Sequence, residues 1–145
     1  MIPPPVSIPS HRVRVGGCDL VELAEVENSV ATFGTRYLRR IFTDSELDEC
    51  SGPTHIARLA ARFAAKEAAV KAFAVPESAF VPPKEIEVVS NQSVPRLQLS
   101  GAAARLAALQ GWSDVSLSLS HTACHAAAVL VAVCIAPARS APEHL

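Results

Sequence analysis

The chain has 145 residues, half of them hydrophobic, enough for one domain with a core of its own and too few for two. Its formal net charge of -1 excludes a bulk field that would draw in nucleic acid or an anionic membrane, so any anion site must come from a local cluster. Four cysteines without a CxxC pair, and an N-terminus, MIPPPVSIPSHRVRV, that lacks an apolar signal core, point to a cytoplasmic setting.

Pro3, Pro4, Pro5 and Pro9 disfavour regular structure, so residues 1–12 are expected to form a tail, residues 13–136 a single domain and residues 137–145, PARSAPEHL, a second tail. VRVGGCD predicts a short strand closing on Gly16 and Gly17. A helix from about Asp19 to Phe33 should follow, with Asp19 and Glu22 spaced as a capping box and Gly34 at the C′ position. TDSE repeats the box at Thr43 and Glu46 and predicts a second, short helix. The longest helix runs from about His55 to Ala74 and stops before Pro76.

IEVVS and RLQLS then read as strands joined through NQSVP, and Ser100 caps a helix from Gly101 to Gln110 that ends at Gly111. In DVSLSLSH, Val115, Leu117 and Leu119 alternate with Ser116, Ser118 and Ser120, the period of a half-buried strand. AAAVLVAVCIA, Ala126 to Ala136, is too short to cross a bilayer as a helix; it predicts a buried strand in a hairpin around Thr122 to Cys124. The order β, α, α, α, β, β, α, β, β is that of an α+β fold with helices on one face of a mostly antiparallel sheet.

RFAAKEAAVKAF, residues 62–73, sets four charges among alanines. On a helix, Ile56, Leu59, Phe63, Val70 and Phe73 share one core-facing stripe, and Lys66 falls inside it. A lysine there either snorkels outward or meets a buried anion, because an unpaired ammonium in a core is too costly. Glu67 and Lys71 flank the stripe at i, i+4 spacing, which by itself describes a surface pair worth about 0.3–0.5 kcal/mol. Asp19 is open to two readings. It can be a helix cap, or it can join Glu67 to hold Mg²⁺, which takes few protein oxygens and completes its shell with water and phosphate. His121 is either a turn residue or a group for phosphate contact or proton transfer, while the HxxCH spacing of His121, Cys124 and His125 lacks the second ligand pair of a zinc site.

GGCDLVEL at Gly16, IFTDSE at Ile41, RFAAKEAAVKAF at Arg62 and SLSLSH at Ser116 together resemble the holo-acyl-carrier-protein synthases, the small trimeric class of 4′-phosphopantetheinyl transferases. The resemblance runs from about Val13 to Val133. It implies the 4′-phosphopantetheinyl transferase fold and transfer of phosphopantetheine from coenzyme A to a serine of an apo acyl carrier protein, in fatty-acid or polyketide synthesis. It further implies that Asp19 and Glu67 hold Mg²⁺, that Lys71 stabilises charge on the phosphates, and that His121 contacts a coenzyme A phosphate. Asp19, Glu67 and Lys71 form the implied catalytic set, with Glu67 the candidate base, while Arg62 and Lys66 support the phosphate site or the fold. The active sites are implied to lie at the interfaces of a homotrimer.

The chain departs from that pattern at several positions. Glu25 stands where the family has an arginine that grips the acidic carrier, with Arg36, Arg39 and Arg40 following. Ala74, Val75 and Pro76 replace a glycine-containing turn, and Cys18 replaces an isoleucine. The rival readings are a relative that binds carrier or coenzyme without efficient transfer, and an unrelated Mg²⁺-dependent phosphohydrolase.

Overall fold

Alternation along two strands decides the main sheet. In the computed structural model, which describes residues 12–76, 78–91 and 94–135, strand β5 (His125–Ile135) buries Ala126, Ala128, Leu130, Ala132 and Cys134 and turns Val129, Val131 and Ile135 outward. It is the middle strand of three, paired antiparallel with β1 (Arg12–Glu22) on one side and β4 (Trp112–His121) on the other. Val115, Leu117 and Leu119 face inward from β4, as their spacing predicts.

Between β1 and β4 the chain forms α1 (Leu23–Phe33), α2 (Thr35–Ile41), α3 (Asp44–Glu49) and α4 (His55–Phe73). A hairpin, β2 (Ile86–Asn91) and β3 (Val94–Leu99), and α5 (Gly101–Leu109) come next. The sequence suggests one sheet. The structure instead pairs β2 only with β3, and β3 lies alongside β4 without joining its ladder. The expected tails fall largely on residues 1–11 and 136–145, outside the described residues. Among the described residues no helix is long and apolar enough to cross a membrane.

Helix α4 is the centre of the fold, lying across β1 and β5. Its buried positions extend well beyond the expected stripe. Ala60, Ala61, Ala64, Ala65, Ala68, Ala69 and Ala72 are all buried, whereas Ile56, Phe63 and Val70 are only partly so. Small residues let a helix approach neighbours closely on several sides, and the contact with β1 shows how closely. A Cβ at Gly17 would lie 1.8 Å from the Ala68 carbonyl oxygen, so only glycine fits there. At the far end of α4, Phe73 stacks on Trp112 with centroids 4.3 Å apart, and the Gln110 side chain donates to the Phe73 carbonyl at 2.8 Å.

Gly17 therefore does not end the strand. β1 continues through Asp19, which pairs with Ala128, to Glu22, and the expected capping box of Asp19 and Glu22 is absent. The second box is present: Glu46 N–H donates to the Thr43 hydroxyl and Thr43 N–H donates to the Glu46 carboxylate. Helix α2 is an addition to the expected set. Gly34, at φ 56°, ends α1 and starts α2 in a single residue, and Tyr37, Leu38 and Ile41 then pack against the core.

Candidate active site

Asp19 sits on the face of β1 that meets α4, where Glu67 and Lys71 stand one turn apart. The Lys71 ammonium donates to Asp19 Oδ1 at 2.9 Å and to the Cys18 carbonyl, also at 2.9 Å. The pairing predicted from i, i+4 spacing is thus replaced by one across two elements, and this geometry explains why Asp19 caps no helix. Lys71 remains open to solvent, with 56 % of its side chain exposed, while Asp19 is largely enclosed at 17 %.

The electrostatics bind the third member to the other two. Burial pushes the Glu67 carboxyl above the ordinary glutamate range, the Asp19 charge pushes it further, and Lys71 partly offsets both. The hydrogen bond to Asp19, followed by the Asp19 charge, raises the Lys71 ammonium in turn. Two carboxylates, one close enough for its charge to disfavour ionisation of Glu67, with an open side toward solvent, form a donor set suited to a hard dication that keeps water and phosphate in its remaining positions. Among the described residues no group of three or more histidine, cysteine or carboxylate side chains is placed to hold a metal; Asp19 and Glu67 are the two carboxylates this cluster offers.

Lys66 and Arg62 point elsewhere. The Lys66 ammonium donates to Glu46 at 2.7 Å and to the carbonyls of Ile86 and Pro83 at 2.7 and 3.0 Å, so its three N–H groups have three acceptors. Both side chains of the Lys66–Glu46 pair are almost wholly buried. Burial pushes the lysine pKa down and Glu46 holds it up. Arg62 donates to Glu49 at 2.9 Å and to Ser90 at 3.1 Å. The expected alternative of phosphate binding by these two is thus not supported by their contacts. They tie α4 to α3 and β2.

The sequence contains Glu46 in plain view as a capping-box residue, yet nothing in its spacing identifies it as the partner of Lys66. One carboxylate performs both tasks: Oε1 takes the Thr43 N–H and the ammonium, while Oε2 takes the Val88 N–H at 3.1 Å.

His121 ends β4 opposite Ala126, two residues along the ladder from the rung that joins Leu119, Ala128 and Asp19. It is exposed and opens onto a cavity of about 1070 Å³ shared with His55, His125, Cys124, Glu22 and Glu27. Asp19, Glu67 and Lys71 do not line that cavity, so His121 faces a different opening from the other three expected groups.

Comparison with known proteins bears on what this site does. Residues 16–130 match the family described as the 4′-phosphopantetheinyl transferase superfamily, ACPS. A holo-[acyl-carrier-protein] synthase of Chloroflexus aurantiacus is 40 % identical over 123 residues, covering 73 % of this chain and 88 % of that protein. One from Dehalococcoides mccartyi is 38 % identical over 117 residues, covering 80 % and 95 %. Among solved structures, an ACPS–CoA complex of Chronobacterium ammoniagenes superposes with a TM-score of 0.75 at 28 % identity, covering 86 % of this chain and 99 % of that one. The Helicobacter pylori holo-[acyl-carrier-protein] synthase in complex with coenzyme A gives a TM-score of 0.71 at 29 % identity, covering 81 % and 98 %.

Proposed function

The chain belongs to the 4′-phosphopantetheinyl transferase superfamily, and from that premise we infer that it is a holo-[acyl-carrier-protein] synthase whose chemistry is carried by Asp19, Glu67 and Lys71. Phosphopantetheine passes from coenzyme A to a serine hydroxyl of an apo acyl carrier protein. The serine oxygen forms a bond to the pantetheine-bearing phosphorus, the pyrophosphate bond on its far side breaks, and adenosine 3′,5′-bisphosphate leaves with the bond's electron pair.

Such a displacement is won by positioning and by charge stabilisation. Asp19 and Glu67 are proposed to hold Mg²⁺, which when bound supplies Lewis-acid polarisation of the phosphoryl oxygens and screens their charge. Lys71, exposed and one turn beyond Glu67, balances the charge of the phosphates. Glu67 is also assigned the serine proton, as the half-buried carboxylate one turn from Lys71 in this cluster. His121 is assigned to a coenzyme phosphate. Since it stands apart from the cluster in its own chain, we place it in the site of a neighbouring chain within a homotrimer. The exposed apolar face of the main sheet, with Leu20, Val129, Val131 and Ile135, supports that assembly. Four unpaired cysteines suit a cytoplasmic location.

The observation that carries this reading is the junction of Asp19 from β1 with Lys71 and the perturbed Glu67 from α4. Purified protein with Mg²⁺ and coenzyme A is expected to add one phosphopantetheine mass to a serine of an apo carrier, read by mass spectrometry over fatty-acid and polyketide carriers. Asp19→Ala and Glu67→Ala should each lower kcat/KM by at least about a hundredfold, roughly 3 kcal/mol, in folded protein. Full activity in both variants overturns the site, and no modification of any carrier favours a protein that binds without transfer.

A further inference from the structure

Lys71 is the cation that the cluster already holds. Its ammonium is 2.9 Å from Asp19 Oδ1 and takes the Cys18 carbonyl as its second acceptor. Two ionised carboxylates with one ammonium leave the cluster one negative charge in excess. A dication added to the same carboxylates would reverse the sign, and the ammonium and the metal would then share the Asp19 carboxylate and repel each other. The Lys71 side chain is more than half exposed, so its ammonium is free to swing away toward the open side. An anion on that side gives it a new acceptor and restores the charge balance.

We propose that Lys71 is a resident counter-cation that metal uptake displaces from Asp19 onto the anionic co-substrate, so that metal and coenzyme A each bind more tightly when the other is present. The proposal rests on the reading that Asp19 and Glu67 hold the metal. It assigns a sequence of events to a residue otherwise regarded as a fixed phosphate ligand. It also requires reciprocity: whatever factor coenzyme A adds to metal affinity, metal adds to coenzyme A affinity.

Two measurements that need no carrier protein test it. Mn²⁺ binding to metal-stripped protein is followed by the electron paramagnetic resonance signal of free Mn²⁺, with and without coenzyme A. Lys71→Met should bind Mn²⁺ alone at least threefold more tightly than the wild type, Lys71→Arg should not, and the enhancement by coenzyme A should shrink in Lys71→Met. Equal or weaker Mn²⁺ binding by Lys71→Met overturns the proposal.

The second measurement uses the wild type, so it survives any failure of the Met variant to fold. With only Lys66, Lys71 and Lys84 in the sequence, ¹³Cε-labelled lysine gives a simple spectrum in which the Lys71 signal, assigned from Lys71→Arg, should move when Mg²⁺ is added without coenzyme. A signal that stays in place also overturns the proposal. Carrier modification by the wild type is scored separately. Modification together with unaltered Mn²⁺ affinity in Lys71→Met removes the counter-cation idea alone, whereas tighter Mn²⁺ binding without modification supports it and removes the transferase reading.

Discussion

Glu67 is held where its own charge is disfavoured. Its carboxyl is easier to protonate in the folded chain than in the unfolded one, first because it is half-buried and then because of Asp19. A carboxyl raised in this way favours folding fully below its unfolded value. That contribution is lost as pH climbs from the ordinary glutamate range through the raised folded value. In metal-free protein, Glu67→Gln is therefore expected to raise the melting temperature at pH 8 and to make little difference at pH 4. The gain should not exceed about 1 kcal/mol, because the group is partly solvated. Thermal melts in chelator at the two pH values check it; a variant less stable than the wild type at pH 8 contradicts the account. Ala74 carries a different cost. It ends α4 at φ 51°, ψ 39°, a left-handed conformation in which glycine is at ease and alanine is not. Ala74→Gly should stabilise the fold by about 0.5–1 kcal/mol in denaturant titrations, and a loss of stability would show that this turn is not strained.

At the scale of elements, the Lys66–Glu46 pair joins α4, α3 and β2 through one buried carboxylate. Lys66→Ala leaves that charge enclosed without its partner and should cost about 3–5 kcal/mol in urea unfolding. Pairing Lys66→Met with Glu46→Leu should recover part of the loss, and equal instability of single and double variants would point to packing as the cause. Helices α1 and α2 divide charge between them: Glu22, Glu25 and Glu27 are exposed around the start of α1, and Arg36, Arg39 and Arg40 are exposed on α2. Glu25→Arg is expected to increase turnover of an acidic fatty-acid carrier several-fold, measured as kcat/KM; unchanged or poorer turnover would place carrier docking elsewhere. These elements also show how much was legible beforehand. The strands β4 and β5, the capping box at Thr43 and the extent of α4 follow from local periodicity and end signals, and all were readable in the sequence. The continuation of β1 past Gly17 was not, because glycine there answers to the Ala68 carbonyl, a contact from far along the chain. Helix α2 escaped notice because Gly34 serves both as a stop and as a start. Asp19, Glu67 and Lys71 were legible as a set through the motif resemblance. The Asp19–Lys71 pair itself, across 52 positions, needed the fold.

At the scale of the whole molecule, the described residues leave an apolar sheet face exposed. On the outer side of the main sheet, Cys18, Val129 and Ser118 form one rung and Gly16, Val131 and Ser116 the next, with Leu20 beside them. Its exposed Leu20, Val129, Val131 and Ile135 are the residues expected to pack between chains. Val131→Asp should turn the proposed trimer into monomers by light scattering and reduce transfer at least tenfold. A trimer that survives the substitution would place the interface on another face.

Strand β1 belongs to both sides of this arrangement. Asp19 points from it toward α4, and the next residue, Leu20, points from it into the face assigned to assembly, so a single alternation serves chemistry and association together. The proposed catalyst is then a collective object. Initial rate should climb with a reaction order in enzyme above one at low concentration, falling to one when association is complete, so a cell holding few copies of this chain would have disproportionately little transferase.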